Sequence, residues 1–235
     1  MTRSSPRVDP LCVYRRLLKA FGPQGWWPVT MRKNKAPVYR PGFRGRLSAR
    51  QRDEICMGAI LTQNTNWGNV ERSLVELHRA GLWDWAAIAA TPARKLERWI
   101  RSSGYFRQKA KKLKIFARYA LGRSPARWFS RADLLALWGI GPETADSMLL
   151  YAGAKNAFVI DAYTLRIGKR LGWFNHQSYE GAQKFLTSYL PGSTRLYAEF
   201  HAVIVELAKR HCRVKPSCPG CPLLELCPHG QKILS

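Results

Sequence analysis

The sequence predicts an all-α protein. Apolar residues recur at helical spacing in several segments, most regularly at Phe200, Val203, Ile204, Leu207 and Ala208. Alternating apolar and polar patterns are scarce, and the best of them, AFVID at residues 157–161, is too isolated to build a sheet. The chain has 235 residues, of which 46% are hydrophobic. This is enough to bury a substantial core.

The helices can be placed in chain order. We expect a first helix over residues 11–21, followed by a loop rich in Pro, Gly, Arg and Trp. The helix-rich body begins near Ser48. Its first two helices follow from one apolar set at Cys56, Ala59 and Ile60 and a second at Val70, Leu74 and Leu77.

Further helices follow in the second half of the body. Thr91 is predicted to cap a helix that has Pro92 at its first position. A turn at residues 102–104 then precedes a very basic helix over residues 107–119. We expect two helical lobes, one a barrel-like bundle of residues 48–157 and the other formed by residues 1–47 with residues 158–235.

The charge of the chain points to a polyanionic partner. Thirty-nine Lys and Arg against fifteen Asp and Glu give a net charge of +24, with the excess spread along the chain. An imbalance this large in a folded protein favours nucleic acid over an anionic membrane surface. No apolar run is long enough to span a membrane, and no secretory signal is evident. We therefore expect a cytoplasmic, nucleoid-associated monomer whose cysteines are not paired as disulfides.

A glycine hairpin stands at the start of one helix, in LWGIGPETADSMLLYA at residues 137–152. Gly139 and Gly141 let the backbone come close to a ligand, and the following helix start presents unpaired N–H groups that favour an anion. The bare pattern also suits an ordinary turn between two helices. An acid, Asp161, follows in VIDAYT.

This arrangement resembles the helix-hairpin-helix (HhH-GPD), or endonuclease III, superfamily of DNA glycosylases, from about Gly25 to Cys227. The resemblance implies the all-α glycosylase fold, with duplex DNA that contains a damaged base as the partner. It also implies that Gly139, Gly141 and Thr144 contact DNA and that Asp161 is the catalytic acid. A fixed carboxylate suits this reaction because cleavage of an N-glycosidic bond develops positive charge on the sugar.

Glu143 occupies the position at which bifunctional members of the superfamily carry a Schiff-base lysine. A carboxylate cannot supply that amine. Near the start of a helix, Glu143 instead favours the helix dipole. The resemblance therefore implies a monofunctional enzyme that uses water, with doubtful lyase activity.

Further segments are more similar to the 3-methyladenine DNA glycosylase III branch than to endonuclease III proper. They are GWWP at 25–28, ILTQNTNW at 60–67, SGYFRQKAKKL at 103–113 and LYAEFHAVIVELAK at 196–209. The resemblance implies a base pocket formed by Trp26 or Trp27 with Trp67, near Lys209. An aromatic pocket suits an alkylated, cationic purine. A tryptophan taken alone is more often a core residue, and Trp67 is the stronger pocket candidate. Lys209 could equally be a solvated residue at the helix edge.

The same resemblance places Gln63 in the gap that base flipping leaves and Tyr105 as a wedge against the opposite strand. A hydrogen-bonded buried amide and a locally packed turn residue are the structural alternatives. Arg107 and Lys109 are expected to contact phosphates, although lysines and arginines on this helix also suit a solvated face.

Four cysteines near the C-terminus predict a metal centre. They are Cys212, Cys218, Cys221 and Cys227, and their spacing is C-x5-C-x2-C-x5-C. Relatives of endonuclease III carry a [4Fe-4S] cluster on C-x6-C-x2-C-x5-C, which implies that cluster here; structural zinc is the alternative from the residues alone. Cys12 and Cys56 lie outside the motif.

Three hypotheses follow for the function. The first is a glycosylase that removes alkylated purines such as 3-methyladenine. The second keeps the scaffold for oxidised pyrimidines with weak strand cleavage. The third is a DNA-binding module that senses damage without catalysis.

Overall fold

The computed structural model describes residues 8–43, 45–123, 127–175 and 178–234. These residues form helices, with no strand among them and one isolated antiparallel bridge between Val29 and Val38. The prediction of an all-α protein is confirmed. In the part of the chain that is described, no helix is both long and apolar enough to cross a membrane.

The α-helices within the described residues are numbered in chain order. They are α1 Pro10–Phe21, α2 Ala49–Leu61, α3 Trp67–Arg79, α4 Trp85–Ala90, α5 Ala93–Trp99, α6 Phe106–Leu121, α7 Arg131–Leu135, α8 Pro142–Ser147, α9 Ala162–Leu171, α10 Tyr179–Tyr189, α11 Thr194–Arg210 and α12 Pro228–Leu234. Short 3-10 turns lie at Arg101–Ser103 and Leu224–Leu226, and α8 continues as a π-helix over Met148–Ala152.

Polar side chains cap most of these helices at their N-termini, which explains where they begin. Ser48 and Gln51 form a reciprocal capping box at the start of α2, and Asp9 caps α1. The expected cap at Thr91 is wrong by one residue. Pro92 is the N-cap of α5, because the Thr91 hydroxyl bonds back to the Ala87 carbonyl at the end of α4.

The chain divides into two compact units. The barrel unit comprises Trp27–Ala157, and the cysteine unit comprises the residues up to Trp26 with those from Phe158 onward. In the barrel unit, α2 is buried along most of its length, and α4 and α6 pack closely together. In the cysteine unit, α11 is the central helix, and Phe200 packs against the rings of Tyr14, Phe158 and Trp173.

Residues 27–47 do not group as the sequence predicted. They belong to the barrel unit, whereas we expected them to join residues 158–235. Trp27 packs against Trp67 and Tyr151, and the Thr30 backbone N–H donates to the Glu54 carboxylate at 2.7 Å. These contacts with α2, α3 and the π-helix fix the segment in the barrel unit.

A pair of ionisable side chains lies inside the barrel unit. His78 Nε2 is 3.2 Å from Glu54 Oε2, and both side chains are buried. The His78 ring also stacks on Trp83 at 3.8 Å between centroids. Burial raises the pKa of Glu54 to about 7, against the hydrogen bonds from Thr30, and burial lowers the pKa of His78 to about 4.

Candidate active site

The glycine hairpin joins α7 to α8 through two glycines with different roles. Gly139 has φ +83, and an added Cβ would lie only 2.5 Å from Lys112 Cε. Gly141 is the N-cap of α8 with φ −91, which any residue can adopt, and nothing lies within 4 Å of an added Cβ there. Packing within the protein therefore requires glycine at position 139, whereas position 141 leaves room for a close external approach.

A partly buried ion pair connects α7 to α8. Arg131 binds Asp146 through two bonds, Nε to Oδ1 at 2.8 Å and a second guanidinium nitrogen to Oδ2 at 3.1 Å. The Asp146 side chain is fully buried. A bidentate pair with this geometry fixes the angle between the two helices of the hairpin.

Gln63 is bonded to the hairpin. Its Nε2 donates to the Gly139 carbonyl at 3.1 Å and to the Thr144 hydroxyl at 2.8 Å, and its Oε1 accepts from Lys112. Thr144 is only 7% exposed, so its side chain lies inside the hairpin, against the expectation that it contacts DNA. The gap-filling role of Gln63 remains a prediction. In this structure its amide supports the hairpin.

The two residues of α6 that we predicted to contact phosphates differ in exposure. Arg107 is exposed. Lys109 is 1% exposed, and its amine donates to the carbonyls of Leu61 and Ser103. The expectation that Lys109 contacts DNA is therefore wrong, because its amine is bonded to the carbonyl of the last residue of α2. Burial also lowers the pKa of Lys109 to about 8, and Lys112 adds to the shift.

Tyr105 has an unusual backbone. It precedes α6 in the left-handed region with φ 44, and its side chain is 66% exposed. A left-handed aromatic residue is disfavoured by sterics, and such strain concentrates at functional sites. The role of Tyr105 as a wedge stays a prediction, and the exposed ring is compatible with it.

Sequence reasoning missed Trp138, which precedes the hairpin glycines. Its ring is 50% exposed, and Lys111 Nζ lies 4.2 Å from the ring centroid. The hairpin thus presents a cation beside an exposed aromatic face. The available signal was a tryptophan next to the Gly-x-Gly turn, but a single tryptophan is more often part of a core.

Two of the tryptophans that we predicted to line the base pocket, Trp27 and Trp67, touch each other in the barrel unit. Trp27 meets Trp67 edge-on, with centroids 5.4 Å apart, and lies 5.2 Å from Tyr151. Trp27 is 8% exposed, whereas Trp67 is half-buried. Trp67 therefore offers the more accessible surface, and Trp27 packs behind it.

Asp161 is the N-cap of α9. Its Oδ1 accepts from the Thr164 backbone N–H at 2.7 Å and from the Thr164 hydroxyl at 2.8 Å. Its Oδ2 lies 3.5 Å from His201 Nε2. Burial favours the neutral carboxyl, but the bonds and charge of His201 and the Thr164 bonds outweigh burial, so the pKa of Asp161 is held below its usual value.

His201 lies next to two of the predicted site residues in the cysteine unit, Asp161 and Trp26. Its ring is 4% exposed and meets Trp26 edge-on, at 5.6 Å between centroids. Lys209 Nζ lies 5.9 Å from the Trp26 ring centroid. Within the cysteine unit, His201 therefore lies beside both Asp161 and Trp26, and Lys209 lies near the same Trp26 ring. Sequence reasoning did not single out His201, since a histidine on the buried face of a helix is usually a core residue.

The four cysteines of the motif line one cavity. Cys212, Cys218, Cys221 and Cys227 form its wall together with Arg170 and Gly230. Arg170 donates to Cys212 Sγ at 3.0 Å, and the Gly230 N–H donates to Cys227 Sγ at 3.4 Å. Among the residues that the structure describes, no three metal-binding side chains converge closely enough to hold a single ion.

Comparisons with known proteins agree with this geometry. The family model of the HhH-GPD superfamily of base excision DNA repair proteins matches residues 57–191. A protein of Methanocaldococcus jannaschii, named provisionally as a DNA repair glycosylase, is 38% identical over 226 residues, covering 92% of this chain and 94% of its own. The endonuclease III of Thermotoga maritima is 29% identical, covering 74% of this chain and 81% of its own.

Solved structures show the same architecture. A trapped covalent intermediate of endonuclease III with DNA superposes with a TM-score of 0.76 at 22% identity, covering 97% of this chain and 100% of that chain. The 3-methyladenine DNA glycosylase of H. pylori bound to 1,N6-ethenoadenine superposes with a TM-score of 0.69 at 28% identity, covering 86% of this chain and 98% of that one. The chain belongs to the HhH-GPD superfamily of base excision DNA repair proteins.

Proposed function

We propose that this base-excision DNA N-glycosylase is monofunctional, uses water as its nucleophile and removes alkylated purines such as 3-methyladenine. The observation that carries the proposal is the cluster of Asp161, His201, Trp26 and Lys209. This cluster combines an ionised carboxylate with an aromatic ring in one unit. Glycosylase activity follows from membership of the superfamily, and the proposal concerns the substrate and the nucleophile.

Asp161 supplies the charge that the reaction needs. As the bond between base and sugar breaks, positive charge develops on the sugar, and a fixed carboxylate stabilises it. Thr164 and His201 hold the two Asp161 oxygens, and the lowered pKa keeps the group ionised at neutral pH. The carboxylate is therefore positioned before the substrate arrives, which lowers the cost of reorganisation.

Glu143 argues for water as the nucleophile. It lies exposed in the first turn of α8, at the position where the resemblance places a Schiff-base lysine in bifunctional enzymes. A carboxylate cannot form an imine with the sugar. Hydrolysis then leaves an abasic site in an intact strand.

An accessible aromatic ring supports the proposal that the substrate is a positively charged purine. In the cysteine unit, Trp26 is half-buried, so part of the residue stays accessible. A purine methylated at N3 or N7 is cationic in DNA and binds well against such a π face, and its weakened glycosidic bond reduces the need for hydrogen-bond readout. The similarity to the H. pylori 3-methyladenine glycosylase, at 28% identity, favours the same substrate class.

The hairpin and Tyr105 supply DNA contacts for base flipping. Gly141 leaves open space for a phosphate at the start of α8, with exposed Arg107 adding positive charge in the same unit. Tyr105 has an exposed ring on a strained backbone, which suits a wedge that enters the base stack.

We also propose that the cysteine cavity holds a [4Fe-4S] cluster. Four thiols on one wall, with N–H donors from Arg170 and Gly230 aimed at two of the sulfurs, match the chemistry of thiolate ligands. Cys212, Cys218, Cys221 and Cys227 would bind the cluster. Its contribution would be structural, since it would fix the loop that follows α11.

Base release from defined duplexes tests the proposal. One duplex set carries N-methylated purines and a matched set carries thymine glycol, and the released bases are identified by chromatography. We expect release of methylated purine and no release of thymine glycol.

The similarity to endonuclease III favours the second candidate, a glycosylase for oxidised pyrimidines. Release of thymine glycol without methylated purine would replace the proposed substrate class with that one. Release of neither base, with DNA binding retained, would favour a module that only senses damage.

A further inference from the structure

We infer that residues 31–43 form a second DNA-contact surface, which binds the phosphate backbone of the duplex outside the region held by the glycine hairpin. We call these residues the basic loop. The inference rests on the proposed function only in that its partner is duplex DNA. It does not depend on the damaged base.

The basic loop carries charge of one sign. Arg32, Lys33 and Lys35 are exposed, and Arg40 is partly exposed. No Asp or Glu occurs anywhere in residues 10–52 of the sequence. The next acids, Asp53 and Glu54, are buried at 8% and 5% exposure. The loop therefore presents a positive potential that no neighbouring surface carboxylate from this stretch of chain offsets.

The loop also exposes apolar side chains, which solubility alone does not explain. Met31, Val38 and Phe43 are 55%, 44% and 46% exposed. The Arg40 guanidinium lies 3.5 Å from the Phe43 ring centroid, so a cation and an aromatic face are presented together. Exposed aromatic rings interleaved with arginine and lysine suit the sugar and phosphate groups of nucleic acid.

The shape of the loop is fixed at its base. Val29 and Val38 exchange two backbone hydrogen bonds, at 3.2 and 3.0 Å, and the Lys35 N–H closes a turn onto the Arg32 carbonyl at 3.2 Å. Asn34 has φ 59, which such a tight turn requires. The Thr30 N–H is anchored on Glu54. The cationic turn therefore projects from a defined point on α2.

In the barrel unit, the residue before the basic loop is bonded to a residue of α2, and the glycine hairpin is bonded to a residue just beyond the end of that helix. Glu54 anchors the loop near the first half of α2, and Gln63 contacts the hairpin just beyond its end. With a rise of 1.5 Å per residue, the span from Glu54 to Leu61 is about 10 Å. Along one DNA strand this equals about three phosphates. A duplex of roughly 20 base pairs is several times longer than this separation.

Binding of undamaged duplex tests the inference independently of base release. We would measure the dissociation constant of the full-length protein for a duplex of roughly 20 base pairs, over a range of salt concentrations. The variant Arg32→Ala/Lys33→Ala/Lys35→Ala removes the charges of the turn. As a matched control, Arg94→Ala/Lys95→Ala/Arg98→Ala removes the same charge from exposed positions on α5 of the same unit.

We expect the loop variant to bind on the order of tenfold more weakly at 0.15 M salt, with the salt slope reduced by about 0.9 for each phosphate that the variant no longer neutralises. The α5 control should keep most of the affinity. The charge-preserving variant Arg32→Lys/Lys33→Arg/Lys35→Arg should bind like the parent, which separates removal of charge from a folding defect.

Equal losses of affinity in the loop and α5 variants would overturn the inference, because net charge would then be the cause. A loop variant that binds DNA normally but no longer binds anionic phospholipid vesicles would also overturn it and assign the surface to a membrane. If base release fails while the loop variant still loses DNA affinity, the proposed reaction is wrong but the second surface stands.

Discussion

Asp161 both caps α9 and carries the carboxylate of the proposed reaction. Its Oδ1 satisfies the Thr164 backbone N–H, which an asparagine oxygen can also do. Asp161→Asn should therefore fold and bind duplex DNA normally. We expect base release to fall by about 10²–10³-fold, because the negative charge is removed.

Single-turnover release and a parallel binding titration would check this prediction. Thr164→Ser, which keeps the hydroxyl that bonds Asp161, serves as the matched control and should stay active. Unchanged release by Asp161→Asn would show that another group stabilises the sugar.

His201 is proposed as a positioning residue that keeps Asp161 ionised. Its Nε2 lies 3.5 Å from Asp161 Oδ2, and its interactions help to hold the pKa of Asp161 low. His201→Phe should raise that pKa, so that Asp161 binds a proton as the pH falls and activity declines at a higher pH than in the parent. His201→Gln, whose amide can still donate a hydrogen bond to Asp161, should restore part of the activity at low pH.

The pH dependence of single-turnover base release would distinguish the two variants. If His201→Phe lowers the rate equally at every pH and does not shift the pH at which activity declines, His201 acts only as a packing residue beside Trp26.

At the scale of elements, the barrel unit contains a pH-dependent pair. Because the folded-state pKa of Glu54 is raised to about 7 from its ordinary 4.5, the folded protein binds a proton that the unfolded chain releases in this range. The contribution of Glu54 to the free energy of unfolding should therefore fall as the pH rises from about 4.5 to about 7. His78 acts in the opposite sense, because its folded-state pKa is about 4 against an ordinary 6.5. Between these values the unfolded chain binds the proton and the folded protein does not, so the His78 contribution to stability rises with pH.

Glu54→Gln keeps the acceptor for Thr30 and a donor toward His78 but removes the titration. Between pH 5 and 8 we expect the parent to lose about 1–3 kcal/mol of unfolding free energy relative to this variant. Urea unfolding at the two pH values measures the difference. A parent whose stability rises with pH relative to Glu54→Gln would contradict the account and indicate an ion pair with charged His78.

The helices followed from the sequence because their signals are local. Ser48 with Gln51 marks the start of α2, and the apolar face of α11 is regular. The assignment of residues 27–47 failed because it depends on distant partners of Trp27 and Thr30, which no local pattern encodes. The exposure of Lys109 failed for the same reason, since its acceptors are carbonyls of Leu61 and Ser103.

The candidate site was predictable where a motif carried it. Asp161 and the hairpin glycines stand in recognisable order, and the structure places Asp161 and Gly141 at helix starts. His201 and Trp138 could not be singled out, because histidine and tryptophan are common in cores. Only the structure shows that His201 lies beside Asp161 and that Trp138 is half exposed.

For the whole molecule, the cysteine cavity predicts a definite composition. Protein purified without oxygen should contain about four iron and four sulfide per chain. Cys221→Ser should lower both and destabilise the cysteine unit, while Cys56→Ser, at a buried cysteine outside the cavity, should keep the iron. Elemental analysis decides this, and stoichiometric zinc in place of iron would contradict the cluster.

The proposed reaction is hydrolytic removal of alkylated purines without an amine nucleophile. The most direct measurement is release of methylated purine from duplex DNA, with each sample divided between alkali treatment and borohydride trapping, for the parent and for Glu143→Lys. We expect the parent to release the base, to need alkali for strand breakage and to give no trapped adduct, whereas Glu143→Lys should give one. A trapped adduct with the parent protein would contradict the account, because an amine would then be attacking the sugar in place of water.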